Sequence, residues 1–141
     1  MTKIEFRTSL HDKIDYTCRW VHKALSHSKD IHIVLFSPDH RQLSQLDEML
    51  WTFSSEDFLP HAMVNDPQAH RSPVILTSDD NIDFLHRKIL VNLSTEIPAS
   101  FAQFERLLEM ISTDNADTEA GRKRYAYYRK RGYSLHHEVA K

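Results

Sequence analysis

The chain has two glycines, one cysteine and no long apolar run in 141 residues, and each shortage removes a class of function. A phosphate-binding turn after a first strand needs glycine, because only a residue without Cβ lets a phosphate reach the backbone amides. The segment in that position, Thr8-Ser9-Leu10-His11-Asp12, has none, and both glycines, Gly121 and Gly132, lie more than a hundred residues later. Neither a dinucleotide loop nor a P-loop is available, so no nucleotide cofactor is expected. Cys18 alone supports neither a disulfide framework nor a cysteine-based zinc site. The longest apolar stretch, Ile31 to Phe36, contains His32 and is too short to span a bilayer. Met1 to Phe6 lacks the apolar core of a signal peptide. A soluble, cytosolic, single-domain protein spanning residues 1–141 is expected, with no membrane contact.

What the chain does have is apolar periodicity that switches between strand and helix. Ile4 to Thr8 alternates and predicts a short strand. Asp12 can cap a helix whose Ile14, Cys18, Val21 and Leu25 share one face, and Ile31 to Phe36 reads as a strand buried on both sides. Ser37-Pro38 supplies an N-cap and a first helical residue for a second helix with Leu43, Leu46 and Leu50 on its buried stripe. Strands are predicted at His61 to Val64, Pro73 to Thr77 and Lys88 to Leu93. A third helix from about Pro98 would carry Phe101, Phe104, Leu108 and Ile111. A fourth helix would end near Gly132, with Arg129, Lys130 and Arg131 in its last turn, as the helix dipole and an αL cap favour. The order predicts a three-layer α/β/α sandwich with a largely parallel sheet.

Catalytic patterns are sparse. Cys18 and His22 sit at i, i+4 and read as a core cysteine beside a histidine at the face's edge; His136-His137 reads as a solvated tail. No nucleophile elbow occurs, and the i, i+4 spacing that would let Cys18 and His22 share a ligand face is read as core packing, so no catalytic residue and no metal site is assigned. Two other segments look like binding surfaces. In the first, Leu46 to His61, the aromatics Trp51, Phe53 and Phe58, with Pro60, cluster where the second helix ends; they would either close a sheet edge or dock a protein. The second is Arg122-Lys123-Arg124-Tyr125-Ala126-Tyr127-Tyr128-Arg129-Lys130-Arg131-Gly132-Tyr133. It holds six of the eighteen Lys and Arg, four of the five Tyr and no acid, so a chain of net charge −2 carries −8 outside it. Arg122, Tyr125, Ala126, Arg129 and Tyr133 fall on one helical stripe, with the small Ala126 leaving a depression. Gly121 inside the helix costs about 1 kcal/mol against alanine, which implies a close neighbour. Arginine and tyrosine mixtures stack bases and neutralise phosphates. The acidic remainder would repel an extended polyanion, whereas a short acidic peptide needs only a local pocket.

At these two segments the sequence resembles the chi subunit of bacterial DNA polymerase III. The matching residues are Leu46-Asp47, Leu50-Trp51, Phe58 and Pro60-His61 in the first. In the second they are Arg122, Arg124-Tyr125, Tyr128-Arg129, Gly132-Tyr133 and Leu135. The resemblance implies a Rossmann-like fold without a nucleotide site, no cofactor and no catalysis. It implies an adaptor in DNA replication that binds the acidic C-terminal tail of single-stranded-DNA-binding protein, which ends in phenylalanine. It also implies binding to the psi subunit and, through it, the clamp loader; some members pair instead with a helicase. Carried onto this chain, Arg122, Tyr125, Arg129, Gly132 and Tyr133 would hold the tail, and Trp51, Phe53, Phe58 and Pro60 would meet psi or the helicase. The lysines that some members carry one turn before that arginine and just after that tyrosine are Thr118 and Ala126 here. The rival readings are a single-stranded nucleic-acid-binding module and a helicase-associated DNA repair adaptor; strong direct nucleic-acid binding is not expected.

Overall fold

A computed structural model describes residues 1–28, 30–52, 61–64, 66, 72–79 and 87–140. Its frame is a seven-stranded sheet in the order β3-β4-β2-β5-β6-β1-β7, with every neighbouring pair parallel. The strands are β1 (Lys3–Leu10), β2 (Ile33–Phe36), β3 (His61–Met63), β4 (Val74–Thr77), β5 (Ile89–Asn92), β6 (Arg106–Ser112) and β7 (Leu135–Val139). Helices α1 (Lys13–His27) and α2 (His40–Thr52) pack on one face and α3 (Asn115–Lys130) on the other, which gives the three layers expected.

Alternation along the buried strands builds the two cores. Ile33, Leu35, Val91, Leu108 and Met110 meet Cys18 and Val21 of α1 and Leu43, Leu46 and Leu50 of α2. Val34, Phe36, Leu90, Leu107 and Ile111 point the other way, towards Phe6, Phe101, Phe104 and Tyr128. Each fully buried large apolar side chain contributes roughly 1.5–3 kcal/mol. Asp12 caps α1 as its position suggests, accepting a hydrogen bond from the Asp15 amide at 3.0 Å.

Three expectations are corrected. The helix expected from Pro98 is a single 3-10 turn, Phe101–Gln103, followed by β6. Leu107-Leu108-Glu109-Met110-Ile111 is buried on both faces, so apolar residues at helical spacing occur in it by chance. Helix α2 begins at His40 rather than Pro38. The Asp39 carboxylate accepts from the Arg41 amide at 2.9 Å, and Ser37 Oγ instead accepts from the Asp39 amide at 3.2 Å. A carboxylate is the better partner for a helix N-terminus. Finally, Leu135 to Val139, including His136 and His137, is not a free tail but an edge strand beside β1, although both histidines are exposed.

Candidate functional site

Lys13 occupies the place where an open α/β sheet usually takes its ligand, beyond the carboxyl ends of the strands at which the chain direction reverses. Here that point lies past β2 and β5. Lys13 Nζ reaches Asp117 Oδ2 at 2.9 Å and donates to the Leu93 carbonyl at 3.0 Å. Asp12, Asp39 and Asp114 place their own carboxylates on the amides that open α1, α2 and α3. A phosphate approaching those helix ends would meet three like charges.

A cavity of about 700 Å³ lies instead beneath α3, over the later residues of β1, β6 and β7. Its walls are Thr118, Gly121, Arg122 and Tyr125 of α3, Phe6, Thr8 and Ser9 of β1, Ile111 of β6, and His137 and Val139 of β7. The spacing of 118, 121, 122 and 125 is one helix face. No Asp or Glu lines it among the described residues, so Arg122 sets its field.

The helix is fixed over this cavity at both ends. At its start, Asp117 Oδ2 accepts from the Ser112 amide at 2.7 Å and the Ser112 hydroxyl at 2.9 Å, and Thr118 Oγ1 donates to the Ser112 carbonyl at 3.1 Å. Burial opposes the charge on Asp117, but the hydrogen bonds from Lys13 and Ser112 prevail and hold its carboxyl below the usual range. In the middle, Gly121 is the close approach that its position implies. A Cβ there would be driven into Ile111, with Cγ1 only 3.0 Å away. At the far end Gly132 takes φ +82°, and the amides of Gly132 and Tyr133 return to the carbonyls of Arg129 at 3.0 Å and Tyr128 at 3.2 Å. That is the double hydrogen-bond pattern of an αL helix stop, and the Tyr133 ring seals it against Tyr128 at 6.4 Å.

The basic run therefore splits. Arg122 lines the cavity, and so does Tyr125, whose ring stands edge-on to Phe6 at 5.1 Å. Arg124 turns inward, 2% exposed, with Nε 3.1 Å from Glu109 Oε1. Tyr128 donates to the same carboxylate at 2.6 Å, and Asn92 at 2.8 Å. Burial pushes the Glu109 carboxyl up to about 7 against the pull of Arg124, Tyr128 and Asn92. Arg131 lies 3.6 Å over the Tyr127 ring. Arg129, Gly132 and Tyr133 are at the helix stop and do not line the cavity, and Ala126 is exposed outside it. The sequence pattern gave Ser9, Ile111, His137 and Val139 no place in this site. Ser9 lies where β1 carries one residue more than β6 between Arg7 and Leu10, and takes φ +62°. Backbone strain of that kind costs about 1–3 kcal/mol and gathers where chains meet ligands.

The second segment ends α2. Trp51 is 51% exposed, and its ring lies 4.6 Å from that of His61, whose Nε2 is 3.1 Å from Asp47 Oδ1. Phe53, Phe58 and Pro60 lie outside the described residues. Cys18 is fully buried and its thiol is pushed up to about 12 by that burial, with Asp15 and Asp12 adding to the shift. No described helix is long and apolar enough to cross a membrane.

The family described as "DNA polymerase III chi subunit, HolC" matches residues 1–136. A DNA polymerase III subunit chi of Pseudomonas aeruginosa is 30% identical over 139 residues, covering 96% of this chain and 94% of the relative. The subunit chi of Escherichia coli is 25% identical over 103 residues, covering 73% of this chain and 70% of its own. That of Haemophilus influenzae is 24% identical over 103 residues, with 73% and 72% covered. A match over nearly the whole chain settles the matter at the level of family: the chain belongs to the DNA polymerase III chi subunit family.

Proposed function

We propose that this chi-family chain is a non-catalytic, cytoplasmic adaptor that holds the acidic C-terminal tail of single-stranded-DNA-binding protein in the cavity beneath α3. The observation that carries the reading is the pairing of Arg122 with an apolar recess built from Ile111, Phe6 and Tyr125, with no described carboxylate on its walls. The terminal carboxylate of the tail would accept from Arg122 while its phenylalanine enters the recess. Such a charge-assisted hydrogen bond contributes about 1.5–3 kcal/mol, and burial of the phenyl group roughly 1.5–3 kcal/mol. After association costs, one tail binds weakly, which suits a contact that several linked tails strengthen together. Arg129, Gly132 and Tyr133 would act on this site indirectly, by ending α3 and bracing Tyr128.

The other half of the adaptor is the Trp51 end of α2, for which the psi subunit, and through it the clamp loader, is the proposed partner; a helicase is the alternative occupant. The half-exposed Trp51 ring supports this reading. Calorimetry with an acidic peptide ending in phenylalanine tests the first half. Binding that is unchanged after Arg122→Ala, or after amidation of the peptide's terminus, would sink it.

A further inference from the structure

A carboxylate in the cavity meets fewer cations than the six in the run of residues 122–131 suggest. Arg124 is spent on Glu109 and Arg131 lies over Tyr127, while Lys123, Arg129 and Lys130 are not among the lining residues. Arg122 alone reaches it from α3. The opposite wall is β7, paired to β1 with His137 beside Phe6, and His137 lines the cavity with its Nε2 2.6 Å from Thr8 Oγ1.

We infer that His137 is a second anion contact of this cavity, and that protonation there strengthens capture of a peptide carboxylate. The inference rests on the carboxylate reading given above. An ionised carboxylate only accepts hydrogen bonds and has two oxygens to satisfy. A guanidinium on one wall and an imidazolium on the other offer it charge-assisted donors from both sides. In the neutral ring one nitrogen donates and the other accepts, and Thr8 already engages Nε2; in the protonated ring both nitrogens donate.

The groups around His137 fix the sign. Arg122 and Tyr125 face it from α3 and Thr8 from β1, while Glu138, its neighbour on β7, is 3.6 Å from Arg7. A bound carboxylate favours the protonated over the neutral ring. Binding is therefore accompanied by proton uptake.

Calorimetry with the free-acid peptide, in two buffers of different ionisation enthalpy, tests this. Wild type should bind about threefold tighter near pH 6 than near pH 8, with net proton uptake between them, since histidine changes charge in that range. His137→Gln should lose both the gain and the uptake. His137→Lys, which keeps a positive charge throughout, should bind equally well at both pH values and so reports that the edge strand is intact. A full pH gain in His137→Gln, or pH-independent binding by wild type, overturns the role of His137 and leaves the carboxylate reading standing. Equal affinity for free-acid and amidated peptides at both pH values overturns both.

Discussion

Arg124 and Glu109 form an ion pair at 3.1 Å between α3 and β6, with both side chains almost wholly shielded from water. Among the described residues Arg124 Nη1 and Nη2 have no hydrogen-bond partner, so Glu109 is the counter-charge that keeps the guanidinium inside. Removing one member of such a pair strands the other. At about pH 8, above the raised Glu109 value, Arg124→Ala and Glu109→Ala should each lower stability by about 3–5 kcal/mol in urea unfolding. A loss below about 1 kcal/mol would mean that α3 is held on the sheet by its apolar contacts alone.

Gly121 and Gly132 are needed for different reasons, and substitution should separate them. Gly121→Ala gains helix propensity of about 1 kcal/mol but drives a methyl group into Ile111. It should be destabilising overall, and Ile111→Val should recover part of the loss. Gly132→Ala meets nothing within 4 Å, so its cost is the φ of +82° alone, about 1–2 kcal/mol, and no second-site change in the core should relieve it. Additive behaviour of Gly121→Ala with Ile111→Val would contradict the packing argument.

Glu109 and Asp117 give stability opposite dependences on pH. Glu109, raised from 4.5 to about 7, keeps a proton in the folded chain that the unfolded chain releases, so its contribution to stability falls as pH rises through that window. Asp117 is lowered, so its contribution is present above the ordinary value of 3.8 and is lost as pH falls through the depressed one. On going from about pH 8 to about pH 5.5, the melting temperature of wild type should rise relative to that of Glu109→Gln. Asp117→Asn should lose stability at neutral pH and converge on wild type in acid. Parallel melting curves across the range would contradict both assignments.

The sheet was legible in the sequence because its central strands are short apolar runs bounded by polar turns, and α1 and α2 because their stripes repeat cleanly. Two elements were not. In β6, burial on both faces erases the alternation that marks a strand and leaves spacings that fit a helix equally well. In β7, Leu-His-His-Glu-Val is apolar only at its two ends and shows no strand alternation, because it is an edge strand whose last four residues are exposed. The candidate site was half legible for the same reason. Arg122 and Tyr125 stand out in a basic, tyrosine-rich run, but Arg124 looks identical in sequence and differs only in facing Glu109. The opposite wall, with His137 and Val139, depends on a strand that the pattern does not announce.

Trp51 gives the second surface a direct test. Its ring is half exposed, so Trp51→Ala should cost little stability, about 1 kcal/mol or less, while weakening capture of psi or a helicase and leaving peptide affinity unchanged. Undiminished capture of either partner would reduce Trp51 to a lid over His61.

The central claim is that Arg122 reads a free carboxylate in the cavity under α3. The decisive measurement is a double-mutant cycle by calorimetry, combining Arg122→Ala with amidation of an acidic peptide ending in phenylalanine. Each change alone should weaken binding about tenfold, as expected for one charge-assisted hydrogen bond, and both together should cost little more than either. Independent, additive losses, or no loss from Arg122→Ala, would contradict the account.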